Sequence, residues 1–320
     1  MEVKTDLIDM LDRYRQYNWT KKAICKIWGI SEQRFYQKDR DRTLEIKKIQ
    51  PVELTRITDK EKQAVINYAL THTGLNHREM SYRMIDENVA YMSSSSVYRI
   101  LRGNELILSK GKRPKPGKWD PHQILSKPNE LWQTDLMNVS FRSRDYYSLS
   151  YIDVYSRFLV YQKLLSSMTG DTIKEETEQA ISETNVKPTA VQSDNGSCYI
   201  SQEYRSCLGK MEIGHHLIHP HCPNENAEIE RYHRTIRELV DPYEAKSFEE
   251  LEKIIKEQIH YYNYERYHSA IGYITPYAKY TGKAEKIFLD RQKKLKRAKS
   301  RRIKENYKLK NAENNKQKAA

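Results

Sequence analysis

From residue 131 onward the chain reads as three consecutive strand-like runs followed by alternating helices and short strands, an order that few folds accept. Residues 132–141 (WQTDLMNVSF), 146–155 (YYSLSYIDVY) and 157–165 (RFLVYQKLL) are rich in β-branched, aromatic and leucine residues. The short polar breaks between them, at 142–145 and at Ser156-Arg157, suit hairpins. A helix is expected from Asp171 to Glu183, with Ile173, Thr177, Ala180 and Ile181 on one side. Pro188 precedes a short strand over 190–193, then come a helix from Ser201 to Lys210 and a strand over 213–219. A loop with Pro220 and Pro223 leads into a helix over 226–239, and a last helix covers 247–263. Hairpins make antiparallel neighbours, and helical crossovers make parallel ones. The order β-β-β-α-β-α-β-α-α therefore predicts an α/β domain, a mixed five-stranded sheet with helices on both faces.

Three acids fall where this reading makes them costly. Asp135 sits inside the first strand between Trp132, Leu136 and Val139, and aspartate is disfavoured in strands. Asp194 ends the short strand before Asn195-Gly196, a turn dipeptide, and acids at the carboxyl ends of such strands face the crevice where ligands bind. Glu230 lies early in the helix after the proline loop. Carboxylates on a rigid scaffold are hard oxygen ligands for Mg²⁺. Two such ions can activate one oxygen and stabilise another in phosphodiester chemistry, with no Ser, Cys or Tyr nucleophile required. Asp153, in IDVYSR, rivals Asp135 as a strand-borne acid and is read as structural, paired with Arg157.

Three acids among 43 carry little weight alone; the interval between them adds specificity, because 35 residues separate Asp194 from Glu230. In the segments TDL (Asp135), QSDNGS (Asp194) and PNENAEIERYHRTIR (Glu230) the chain resembles the acidic-triad transposase and retroviral-integrase superfamily, notably bacterial transposases of the insertion sequence three family. Arg237, seven residues after Glu230, matches a Lys or Arg of that family, and YNYERYHSAIGYITP matches its late segment. The resemblance covers about residues 60–280. It implies an RNase H-like fold and a DNA transposase that cleaves 3′ ends and transfers strands, with two Mg²⁺ (or Mn²⁺) ions on Asp135, Asp194 and Glu230. It also implies element ends and target DNA as partners, and a dimer or larger synaptic assembly.

The family often has Pro-x-Asp-Asn-Ala before the final Glu, where this chain has Pro223-Asn224-Glu225-Asn226-Ala227. Glu225 and Glu228 therefore compete for the third position. Helical spacing favours Glu230, which shares a strip with Asn226, His233, Arg234 and Arg237, while Ile229, Ile236 and Leu239 mark the buried side. The two competitors are then solvated acids that complement the helix dipole.

Upstream, residues 1–45 and 57–105 each read as three short helices with helix-turn-helix outline, and Thr58 and Glu61 suggest a capping box. Residues 106–130 form a basic Pro/Gly linker. The core is expected over 131–245, a helical aromatic segment over 246–290, and a basic, disordered tail over 291–320. That tail holds 13 Lys and Arg against two acids, nearly all of the net charge of +13, and such tails commonly touch nucleic acid. Candidate DNA contacts are Arg34, Arg99, Arg102, Lys112, Arg113, Lys115, Asn195, His219, Arg231, Arg234 and Arg237. The tyrosines from Tyr261 to Tyr280 suit either stacking on distorted DNA or packing on the core. The group His215, His216, His219, His221 and Cys222, with Cys198 and Cys207, matches no standard zinc spacing. The four cysteines form no CxxC pair, and no run approaches ~18 apolar residues, so a soluble cytoplasmic protein, on the nucleoid when bound to DNA, is expected. Two other readings are a DNA-binding regulator with an inactive core and a different RNase H-like nuclease.

Overall fold

The computed structural model describes residues 53–107, 125–220 and 222–319, and four isolated positions before them, Lys22, Lys26, Gly29 and Ser31. The helix-turn-helix expected over 1–45 and most of the 106–130 linker lie outside the described residues.

The sheet follows from two kinds of connection. Strands β1 (Leu131–Phe141) and β2 (Arg144–Asp153) pair antiparallel, with Phe141 opposite Arg144. Only Arg142 and Ser143 lie between them, at φ 46° and 60°. Positive φ at both positions is what a two-residue hairpin needs to follow the strand twist, and here it is met without glycine. Strand β3 (Leu159–Leu165) pairs antiparallel with β2. Helix α4 (Gly170–Thr184) then crosses over to β4 (Ala190–Ser193), parallel to β1. Helices α5 (Ser197–Ile200) and α6 (Gln202–Lys210) cross to β5 (Gly214–Leu217), parallel to β4. The order is β3-β2-β1-β4-β5, the mixed five-stranded, RNase H-like sheet that the sequence predicts. The short helix α5 was absent from that expectation.

Alternation along β1 divides two cores. Trp132 faces Leu149, Tyr151, Ile173, Val191 and Tyr204 on the α4–α6 side. Met137, Val139 and Phe141 face α7 (Ala227–Leu239) and α8 (Phe248–His260) through Ile229, Tyr232, Ile236, Leu251 and Ile255. Asp135 shares the parity of Met137, so it belongs to the α7 face. Helix α8 runs on into a π-helical turn, Tyr261–Glu265. There the buried Asn263 acts as a strand neighbour: Leu159 N–H donates to Oδ1 at 2.9 Å, and Nδ2 donates to Leu159 O at 3.0 Å.

Asp153 is fully buried at the β2–β3 turn. It accepts the N–H of Asn129 at 2.7 Å, the N–H of Ser156 at 2.8 Å, and the Ser156 hydroxyl. Its role is structural, as expected, but its expected partner is not. Arg157 Nη1 pairs with Glu228 Oε1 at 2.9 Å instead.

The helices α1 (Asp59–Thr71), α2 (His77–Asp86) and α3 (Ser94–Gly103) occupy the second predicted helical segment. Thr58 and Glu61 form the expected capping box: Thr58 N–H donates to Glu61 Oε2 at 3.2 Å, and Glu61 N–H donates to Thr58 Oγ1 at 3.3 Å. The expected disordered tail is a helix. After α9 (Pro276–Tyr280), α10 runs from Ala284 to Ala319. The misreading weighed charge over propensity, since Lys, Arg, Ala, Leu and Gln are strong helix formers. Spaced pairs such as Lys294–Asp290 at 2.9 Å add a little more.

The chain divides into two compact units, residues 64–295 and residues 1–63 with 296–320. In the first, the buried Arg291 holds both oxygens of Asp86, at 2.8 and 2.6 Å, and the carbonyls of Gly272 and Tyr273. In the second, Arg302 forks onto Glu61 at 2.8 and 2.9 Å. No helix among the described residues is long and apolar enough to cross a membrane.

Candidate active site

The parallel half of the sheet brings two of the three acids together. Leu131, Trp132 and Gln133 pair with Ala190, Val191 and Gln192. The same register continued by two residues sets Asp135 level with Asp194. Each aspartate fixes one oxygen on the backbone: Leu136 N–H donates to Asp135 Oδ1 at 2.8 Å, and Gly196 N–H to Asp194 Oδ1 at 2.9 Å. A Cβ on Gly196 would stand 2.9 Å from Asp194 Oδ1, so only glycine lets the backbone reach that carboxylate unhindered. Both acids bear on one point. The Cys198 thiol of α5 is pushed up first by burial, and then also by the negative charges of Asp194 and Asp135.

Helix α7 covers the same face. His233 Nδ1 lies 3.3 Å from Asp135 Oδ2, and the ring is almost wholly buried. Gln133, two residues before Asp135, ties down the start of the helix. Its Oε1 accepts the Ile229 N–H at 3.1 Å, and its Nε2 donates to Glu225 O at 2.9 Å and to Glu228 Oε2 at 3.1 Å. Glu230 stands exposed in the first turn of α7.

The exposed strip is narrower than helical spacing suggested. Glu230, Arg234 and Arg237 are exposed, but Asn226 and His233 are buried beneath them. Burial on α7 includes Tyr232 and Thr235, and Leu239 is only half-buried. The two competing acids are not solvated. Glu228 pairs with Arg157, while Glu225 accepts the His219 N–H at 2.9 Å and faces His219 Nδ1 at 2.9 Å. Polar sequence on an amphipathic helix cannot announce such pairing, because the partners, His219 and Arg157, come from loops outside the helix.

The remaining candidates separate. Asn195 is exposed, but its amide donates to Ile218 O at 2.9 Å and ties the turn to the end of β5. His219 projects into solvent beside Glu225. Arg231 is exposed on the opposite flank of α7 from Glu230. Arg99 and Arg102 are exposed on α3, in the helical segment rather than the sheet. Arg34, Lys112, Arg113 and Lys115 lie outside the described residues. His215 is half-buried, against the Ser193 hydroxyl at 2.9 Å and the Tyr204 ring. Gln133 and His233 are the functional positions that the sequence reading missed or misplaced. A glutamine inside an apolar strand was the available signal for the first.

Residues 126–223 and 211–276 each match a family model described as integrase core domain. Over this stretch the chain is similar to insertion-sequence transposases and retroviral integrases. It is 30% identical over 152 residues to the transposase for insertion sequence element IS904 of Lactococcus lactis, covering 47% of this chain and 60% of that protein. It is 23% identical over 261 residues to an uncharacterized 39.2 kDa protein of insertion element IS476 from Xanthomonas euvesicatoria, covering 80% and 71%. The HTLV-2 integrase catalytic core domain in complex with magnesium aligns with a TM-score of 0.41 at 21% identity, over 48% of this chain and 97% of that one.

Among the described residues no three His, Cys, Asp or Glu side chains converge to hold a metal ion unaided. The donor chemistry still suits Mg²⁺ or Mn²⁺. Asp135 and Asp194 are hard oxygen ligands, each with one oxygen spent on the backbone, and the second oxygen of Asp135 faces His233 Nδ1 at 3.3 Å. Mg²⁺ commonly takes one or two carboxylates and completes its shell with water and substrate phosphate.

Proposed function

We propose that this chain is a DNA transposase that binds the ends of its element, cleaves DNA at 3′ ends and joins them to target DNA by transesterification. The observation that carries this reading is the pair Asp135, on β1, and Asp194, just past the end of the neighbouring parallel strand β4, with the helix that bears Glu230 packed against Asp135. Asp135, Asp194 and Glu230 would hold two divalent ions, Mg²⁺ or Mn²⁺. Bound there, the ions supply a polarised phosphate and an activated oxygen nucleophile.

The chain's own residues set up that chemistry. The backbone bonds from Leu136 and Gly196 fix the aspartate rotamers, so little reorganisation is left for the moment of reaction. Gln133 anchors the start of α7 to β1 and so sets the height of Glu230 above the strand ends. His233 borders the second oxygen of Asp135, and its burial limits how far that carboxylate can turn. Arg234 and Arg237, exposed on the flank of Glu230, would hold DNA phosphates. Strand transfer joins two DNA ends, so a two-fold dimer or larger synaptic assembly is the expected working form. The predicted helical segments before residue 106 would recognise the terminal repeats.

The test is Mg²⁺-dependent cleavage of labelled element-end duplex by wild type and Asp194→Asn. The substitution should lower the rate at least about a thousandfold with an unchanged melting temperature. Equal rates would sink the catalytic reading and leave a DNA-binding regulator.

A further inference from the structure

On the far flank of α7 from Glu230 a cavity of about 310 Å³ opens between this helix, the start of α2 and the segment Arg266–Tyr273. Three guanidinium groups line it, those of Arg157, Arg231 and Arg266. Two carboxylates line it too, but both are spoken for. Glu228 pairs with Arg157 at 2.9 Å, and Glu79 pairs with Arg83 at 3.1 Å. The guanidinium groups of Arg231 and Arg266 have no acidic partner among the described residues. The cavity is therefore left with two uncompensated positive charges.

Two neighbouring groups lie in that field. His268 is held down to about 3 by burial, and then by the charges of Arg266, Arg157 and Arg231. Tyr262 is pushed up by burial, and the same three arginines oppose the shift. His268 Nε2 is buried without a hydrogen-bond partner, in a wall that also carries the Ser269 and Tyr267 side chains. Forked guanidinium donors and a serine hydroxyl around a cavity are groups that recognise a phosphate.

We propose that this cavity is a phosphate-binding pocket built by Arg231 and Arg266, and that its ligand is a backbone phosphate of the DNA strand. The DNA assignment rests on the functional reading above; the pocket's preference for phosphate does not. It would hold DNA on the flank of α7 opposite to Glu230, so the helix would be gripped by substrate on both sides.

The experiment uses the full chain and two readouts. The first is fluorescence anisotropy of a labelled duplex over a range of salt, for wild type, Arg231→Gln, Arg266→Gln and Lys253→Gln. Lys253 is exposed on α8, outside the pocket, and controls for the loss of one charge. The second is the melting temperature with and without millimolar inorganic pyrophosphate. Expected are a slope of log affinity against log salt that falls by about one in both arginine variants, an unchanged slope in Lys253→Gln, and pyrophosphate stabilisation that both arginine variants lose. Arg231 is exposed, so its variant reports even if Arg266→Gln folds poorly. Equal slopes in all three variants with no pyrophosphate stabilisation overturn the pocket. Stabilisation lost in the variants with unaltered DNA slopes keeps a phosphate pocket but overturns DNA as its ligand. A wild type that binds no DNA yet gains stability from pyrophosphate refutes the functional reading and the DNA assignment, and leaves the pocket standing.

Discussion

The two flanks of α7 carry carboxylates two residues apart, and their surroundings differ in almost every respect. Glu228 is 12% exposed, paired with Arg157 and hydrogen-bonded by Gln133. Glu230 is exposed in the same turn, on the side where Arg234 and Arg237 also face solvent. One acid is used to hold the helix down; the other is kept available. A turn of 100° per residue is enough to separate the roles. The comparison also shows that charge on a helix surface says little until the loops that pack beside it are placed.

The largest expected effect separates the flanks by rate. Glu230→Gln should cut Mg²⁺-dependent end cleavage at least about a thousandfold with an unchanged melting temperature, while Glu228→Gln, compared at equal folded fraction, should stay within about tenfold of wild type. Reversed rates would make Glu228 the third acid. The next effect separates them by stability. Glu228→Ala strands the buried Arg157 guanidinium and should cost about 2–3 kcal/mol in chemical denaturation, toward the low end for a broken buried pair because Glu228 keeps some exposure. Glu230→Ala should cost less than about 0.5 kcal/mol. A third measurement sharpens the exposed flank. Arg237→Gln should weaken duplex binding about tenfold at ~0.1 M salt and lower the salt slope by about one; an unaltered slope would take Arg237 off the DNA.

A last effect is a pH dependence on the Glu228 flank. The folded state holds His268 well below its ordinary value, down to about 3, mainly through burial. A group depressed in this way contributes stability that is present above its unfolded value near 6.5, and that drains away as pH falls from there toward 3. His268→Phe should flatten the loss of stability across that window, measured by urea denaturation between pH 7 and 4. If wild type and variant lose stability in parallel, the imidazole is not held neutral by the fold.

Much of this was legible in the chain. The order of strand and helix periods dictated a mixed sheet, since each period follows from local backbone geometry and needs no knowledge of partners. Asp135 and Asp194 stood out because an acid within or at the end of an apolar strand has to be explained locally. The 35-residue interval and the segments around it pointed to Glu230. The same local reasoning failed where the answer lay across the chain. His233 and Asn226 look like members of a polar strip, yet they are buried, because β1 and its acid lie directly below them. Glu225 and Glu228 look like free helix-start acids, yet His219 and Arg157 reach them from loops. The basic tail looks too charged to order, yet helix propensity carries α10 to Ala319. Sequence thus determined which elements form and which carboxylates are anomalous, both consequences of short-range sterics and burial. Only the tertiary structure decided which charges are paired and which remain open to a ligand, because pairing depends on side chains brought within a few ångströms from positions as far apart as Glu61 and Arg302.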